Sequence, residues 1–307
     1  MKGLELAQRY WSEVCEPVIR EIVPEALPAV ATGLAGEGSE CMGYDDEISK
    51  DHDWGPGFCI WLGNDDYSKY ADILSRIYAA LPNEFLGYRR AEADELSSGR
   101  TGVININVFY SRFLGRNTLP ASLMDWMTVD EEGLSAATNG KVFYDGKGDF
   151  TRVRNTLLDY YPEDVRLKKL AGRCAGIAQS GQYNYYRCLK RGDKVAAFTA
   201  LSEFVDNVQA FFFLMNKKYR PYYKWSNRML KDLGSFEKQI AEDLEQLIAG
   251  DITQKGNQIE SICAKIVTVL KKSQLSISNS DFLLEHAKEI QIRISDSEIR
   301  CLPLMLV

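Results

Sequence analysis

The chain has 307 residues, enough for two domains with cores of their own. Its 45% hydrophobic and 26% charged residues are ordinary for a folded globular protein and exclude a disordered or low-complexity chain. A formal net charge of −6 weighs against a nucleic-acid substrate, which calls for a basic face, and no apolar run approaches the ~18 residues that a membrane span needs.

The seven cysteines are scattered, odd in number and form no Cys-x-x-Cys, so reduced thiols are expected. Two histidines argue against a zinc site. The opening MKGLELAQRYWSEV is charged and amphipathic, unlike a signal peptide. A cytoplasmic location is the expectation.

Taken in order, residues 4–22 read as a helix, with Leu4, Ala7, Trp11, Val14 and Val18 at helical spacing. Pro17 sits inside it, and Pro24 and Pro28 end it. Val30 to Ala35 is a short apolar run, predicted as a first strand. It leads into Gly36-Glu37-Gly38-Ser39. Two glycines let backbone approach an anion closely, and Ser39 adds a hydroxyl donor, so this turn is a candidate phosphate cradle. A polar stretch over 40–50 follows, in which Asp45, Asp46 and Glu47 read as solvated loop charges or further metal ligands.

Then come Asp51, His52 and Asp53. On a strand, Asp51 and Asp53 share one face, and His52 points the other way as a structural residue. Two adjacent carboxylates repel unless a cation neutralises them, and Mg²⁺ prefers such oxygen ligands. The strand is expected to resume at Phe58–Leu62 after a bulge or bend at Gly55-Pro56-Gly57.

A helix is predicted over 65–81, capped by Asn64-Asp65-Asp66 and buried through Tyr67, Ala71, Leu74, Ile77, Tyr78 and Leu81. Val103 to Val108 alternates as a strand, with Asn105 and Asn107 on one face. A second hydrophobic pair of strands is expected near Lys141–Tyr144, with Gly146 and Gly148 turning the chain. From Asp149 the pattern turns helical, with helices near 150–159, 163–191, 193–217, 226–249, 255–273 and 281–290. In the third of these Val195, Phe198, Leu201, Val205, Val208, Phe212 and Met215 track one face. Arg191-Gly192-Asp193 is read as a glycine C-cap followed by an aspartate N-cap. Tyr219-Arg220-Pro221-Tyr222-Tyr223-Lys224-Trp225 mixes aromatic and basic residues, which suits base stacking and phosphate binding or packing between domains. The final Leu302–Val307 run is expected to dock onto a core or a partner.

The run GEGSECMGYDDEISKDHDWGPGF resembles the DNA polymerase β-like nucleotidyltransferase superfamily, whose signature is Gly-Ser, a spacer, then Asp-x-Asp on a strand. The spacer here is Glu40 to Lys50. The run looks like that of an uncharacterised bacterial family, and YYP, RGD and YRPYYKW look like the same family. Small-molecule members, such as aminoglycoside adenylyltransferases, follow the catalytic domain with a helical bundle.

The resemblance implies an α/β (α+β) domain with a small mixed sheet over 1–149 and an all-α bundle over 150–307. It implies a Mg²⁺-dependent enzyme that moves a nucleoside monophosphate from ATP or another nucleoside triphosphate to an acceptor hydroxyl, on a small molecule. Gly36, Gly38 and Ser39 would hold phosphate, Asp51 and Asp53 the metal, and Lys224 the triphosphate. The superfamily's third carboxylate aligns best with Asn107 and next with Asn105, and neither can serve as a base. Glu92, Asp94 or Glu95 are the substitutes in reach. A catalytically weak nucleotide-binding sensor or partner module is therefore the alternative, and an interaction protein built on the helical bundle is a third. Oligomeric state stays open.

Overall fold

The computed structural model describes residues 1–50, 54–90, 99–252 and 254–307. Asp51, His52, Asp53, Glu92, Asp94 and Glu95 lie outside the described residues. The chain forms two compact units: Met1–Leu119 with Gly133–Asp159, and Pro120–Glu132 with Tyr160–Val307.

The first unit opens with α1 (Gly3–Tyr10), a π-helical turn over Trp11–Cys15, and α2 (Glu16–Ile22). The wider turn lies where the Pro17 ring would meet the carbonyl of the preceding turn, so the predicted helix continues through the proline. Its buried face is Leu6, Ala7, Tyr10, Trp11, Cys15 and Ile19, with Leu4, Val14 and Val18 at the margin.

Strands β1 (Ala31–Leu34) and β2 (Cys59–Leu62) pair antiparallel. After α3 (Asn64–Ala80) a small hairpin forms from β3 (Glu84–Phe85) and β4 (Tyr88–Arg89). Strand β5 (Gly102–Asn105) then pairs parallel with β2, and α4 (Ile106–Leu114) follows at once. A short α5 (Leu123–Thr128) belongs to the second unit. Helix α6 (Glu131–Thr138), β6 (Lys141–Asp145) and α7 (Asp149–Leu158) complete the first stretch, and β6 pairs antiparallel with β1.

The mixed sheet therefore runs β5-β2-β1-β6. All four residues of β2 are buried because both faces are covered, which fits its unbroken apolar run Cys59-Ile60-Trp61-Leu62. Phe58, Ile60 and Leu62 join the core with Leu74, Ile77 and Tyr78 of α3. Trp61 stacks on Phe150 of α7 at 3.8 Å and meets Phe109 of α4 edge-on.

Three expectations change here. The N-cap of α3 is Gly63, not the Asn-Asp-Asp run, and Tyr70 is buried in place of Ala71. The predicted strand over 103–108 ends at Asn105. The Asn105 side chain accepts from the N–H groups of Asn107 and Val108 at 2.8 and 3.4 Å, which starts a helix instead. Lys141–Tyr144 lies in one strand rather than a pair.

The second unit is helical among the described residues: α5, α8 (Glu163–Ile177), a π-helical run Ala178–Tyr185, α9 (Tyr186–Lys190), α10 (Lys194–Met215), α11 (Tyr223–Leu233), α12 (Ser235–Ala249), α13 (Lys255–Lys272), α14 (Leu283–Ile292) and α15 (Ser297–Cys301). Extended backbone at Gly234 splits the predicted 226–249 helix in two. The predicted stripe of α10 is corrected. Val195 and Phe198 are 78% and 70% exposed, and the buried face is Ala197, Ala200, Leu201, Phe204, Val208 and Phe211 to Leu214. Val195 and Phe198 lie on the side of α10 that faces solvent, opposite Ala197, so they are not core.

Gly192 takes a left-handed conformation and Asp193 Oδ1 accepts from the Ala196 N–H at 2.9 Å, the two caps read from the sequence. The final segment docks on α8. Lys168 Nζ donates to the carbonyls of Pro303, Leu304 and Leu306 at 2.8, 2.9 and 3.0 Å. None of the seven cysteines is paired, and among the described residues no helix is long and apolar enough to cross a membrane.

Candidate active site

Strand β1 delivers the chain to Gly36, whose φ of 130° only glycine adopts without strain. The Gly36 N–H donates to Asn139 Oδ1 at 2.9 Å, and its carbonyl accepts from Asn139 Nδ2 at 2.6 Å. One asparagine side chain thus holds both polar groups of this glycine. The position beside Asn139 is fixed in turn, because the Gly140 N–H donates to the Cys41 carbonyl at 2.9 Å. Gly36 shapes the turn rather than offering its own N–H to an anion. Gly38 is extended, and the Glu40 carboxylate fills the space that a Cβ would need. Ser39 opens a 3₁₀ turn to Met42 that ends at left-handed Gly43.

Two arginines far away in sequence flank this turn. Arg112, near the end of α4, pairs with Glu37 at 2.7 Å, and Arg100 approaches Glu40 at 3.5 Å. The Phe113 ring, next to Arg112, lies 3.4 Å from where a Gly36 Cβ would be. Burial pushes the Cys59 thiol up to about 12, and the nearby Arg112 and Arg100 charges pull against that shift. Neither arginine is marked by any motif. Only the tertiary fold, which runs α4 back along the sheet, brings them here.

The acidic residues of the following loop have structural work. Asp45 is buried, not solvated. Its Oδ2 accepts from the Gly3 N–H at 2.7 Å and from Trp54 Nε1 at 3.1 Å, and Oδ1 lies 3.6 Å from Lys2 Nζ. It therefore anchors the start of α1. Asp46 Oδ1 accepts from the N–H groups of Ile48 and Ser49, both at 3.1 Å, and Glu47 pairs with Lys50 at 2.6 Å. Among the described residues no group of three or more His, Cys, Asp or Glu side chains could hold a metal ion. A metal centre in this segment would rest on Asp51 and Asp53.

β1 and β2 are antiparallel neighbours with Gly33 opposite Cys59, so the connection 35–58 leaves and re-enters the sheet at one end. That single connection carries Gly36, Gly38, Ser39, Asp51 and Asp53. Asn107 does not sit with Gly36, Gly38 and Ser39 along the sheet. It lies in the first turn of α4, at the other end, where Leu62 pairs with Asn105. There the Asn105 and Asn107 amides donate to Asn64 Oδ1 at 2.9 and 3.2 Å. Arg112 is five residues further along α4, or roughly 7–8 Å along the helix axis.

Lys224 belongs to the second unit, in the first turn of α11. It is exposed, with its ammonium 5.3 Å from the centroid of Trp225, and Tyr222 and Tyr223 beside it are also exposed. Arg220 of the same stretch is buried and paired with Asp206 and Glu132.

A family model described as a domain of unknown function, DUF4037, matches residues 126–226. No curated protein matches the chain. Among solved structures, a nucleotidyltransferase-like protein from Exiguobacterium sibiricum 255-15 is similar at 12% identity and a TM-score of 0.38. The match covers 86% of this chain and 81% of that one.

Proposed function

We propose that the first unit is the catalytic domain of a nucleotidyltransferase that moves a nucleoside monophosphate from a nucleoside triphosphate to an acceptor hydroxyl, on a small molecule. One observation carries the reading. The glycine turn, which Arg100 and Arg112 flank, lies in a connection between adjacent antiparallel strands, and the same stretch of sequence carries Asp51 and Asp53. The N–H groups beyond Gly36 and the Ser39 hydroxyl would face phosphate. Arg112 would exchange Glu37 for a phosphate oxygen, because a guanidinium binds either anion through the same donors. Asp51 and Asp53 would hold Mg²⁺, which when bound supplies charge neutralisation at the phosphates.

The test is calorimetric binding of ATP and GTP with and without Mg²⁺, combined with turnover of a labelled nucleotide over a panel of acceptors. Asp51→Asn and Asp53→Asn are expected to abolish Mg²⁺-dependent binding while the circular dichroism spectrum stays unchanged. Wild-type affinity in both variants overturns the reading.

A second reading is a nucleotide-binding module without turnover. It rests on the resemblance alone, in which the third carboxylate aligns with Asn107 or Asn105, neither of which can serve as a base. Tight binding with no transfer across the panel would select it.

A further inference from the structure

The second unit carries a face that the nucleotidyltransferase reading does not use. Tyr183, Tyr186, Arg187, Lys190 and Arg191 follow one another at i, i+3, i+4, i+7 and i+8 along the end of the π-helical run, α9 and its C-cap. That spacing places all five on one stripe of a helix. All five are exposed, and Tyr185 between them is buried, so the opposite side packs and this side faces solvent.

The stripe is chemically ordered. The Arg187 guanidinium sits 4.7 Å from the Tyr183 ring centroid, and the Lys190 ammonium 4.6 Å from that of Tyr186. Each ring is thus paired with a cation one helical turn on. Lys194 adds a further exposed cation just across the Gly192 turn. Among the described residues none of these four cations is in an ion pair. Asp193 is engaged as the cap of α10, and Glu260 accepts from Gln182 off the stripe. In a chain of net charge −6 this is a local basic patch.

We propose that this stripe binds single-stranded nucleic acid, with the phosphates on Arg187, Lys190, Arg191 and Lys194 and unpaired bases stacked on Tyr183 and Tyr186. The complementarity selects the partner. Phosphates match unpaired cations, and a cation on one ring face leaves the other face for a base. A duplex buries its base faces and offers the rings nothing. An acidic peptide would use the cations and leave both phenol rings in water. A membrane surface would need a broad apolar face, and here, among the described residues, Val195 and Phe198 beyond Lys194 are the only exposed aliphatic or phenylalanine side chains beside the five stripe residues in sequence.

Fluorescence anisotropy with labelled twelve-nucleotide oligo(U), oligo(dT) and a duplex of the same length tests this, with oligo-glutamate as competitor. Binding to the single strands is expected on the order of micromolar at low salt, weakening about 20- to 50-fold between 50 and 200 mM salt if three or four phosphates are neutralised. Arg187→Glu with Arg191→Glu should abolish it. Tyr183→Ala and Tyr186→Ala should each cost roughly 5- to 100-fold, and Tyr→Phe at both positions should restore it. These side chains are solvent-facing, and an unchanged thermal midpoint will show that the variants are folded. Comparing oligo(U) with oligo(dT) assigns RNA or DNA. Equal affinity for duplex, equal loss to oligo-glutamate, or indifference to the tyrosine substitutions would overturn the proposal.

Discussion

At the scale of single residues, the candidate turn depends on side chains that come from elsewhere in the chain. Asn139 satisfies both polar groups of Gly36, and its truncation leaves them without a partner. Asn139→Ala should cost about 1–3 kcal/mol in urea unfolding and weaken nucleotide binding in parallel. Asp45 shows how composition misleads: a run Asp45-Asp46-Glu47 looks like solvated loop, yet the first member is buried against Gly3 and Trp54. Asp45→Ala should therefore destabilise by about 2–3 kcal/mol, while Glu47→Ala, which only loses a surface pair with Lys50, should leave the unfolding midpoint where it is. If the two variants behave alike, Asp45 is not the anchor of α1.

At the scale of elements, apolar spacing located most helices, and local polar chemistry decided where they begin. Asn105 converts an alternating strand pattern into the start of α4 by accepting from two N–H groups. Helix α8 makes a prediction of its own. Burial lowers the Lys168 pKa to about 8, although three carbonyls hold its ammonium. An unfolded lysine titrates near 10.4. Between those values the unfolded chain binds more protons than the folded one, so this lysine makes stability rise with pH across that window. Below it both states are charged and the full burial penalty applies. Lys168→Met should flatten the rise between pH 8 and pH 10 in denaturant melts. It should also loosen the Pro303–Val307 segment, read as faster amide exchange there. A wild-type slope retained in the variant would refute the assignment.

At the scale of the whole molecule, five of the seven free cysteines are buried, Cys188 is half-buried and Cys301 is exposed. Burial pushes the Cys15 and Cys59 thiols up to about 12 and Cys41 well above its usual value. A thiol reagent should therefore label Cys301 quickly and Cys188 more slowly, reaching the other five only on unfolding. Rapid native labelling of more than two thiols would contradict the packing. The sequence by itself determined most of the helices, the strands that became β1 and β2, the Gly192–Asp193 caps, and the glycine turn that follows β1, while the fold class was implied by the family resemblance. These are local matters, set by periodicity, by glycine's backbone freedom and by side chains capping their own neighbours. Only the tertiary structure decided that Asn139 clamps Gly36, that Arg100 and Arg112 flank the turn, that Asn107 sits at the far end of the sheet, and that Val195 and Phe198 face water. Each of those depends on chain segments that meet only after folding, and no spacing along the sequence encodes such a meeting.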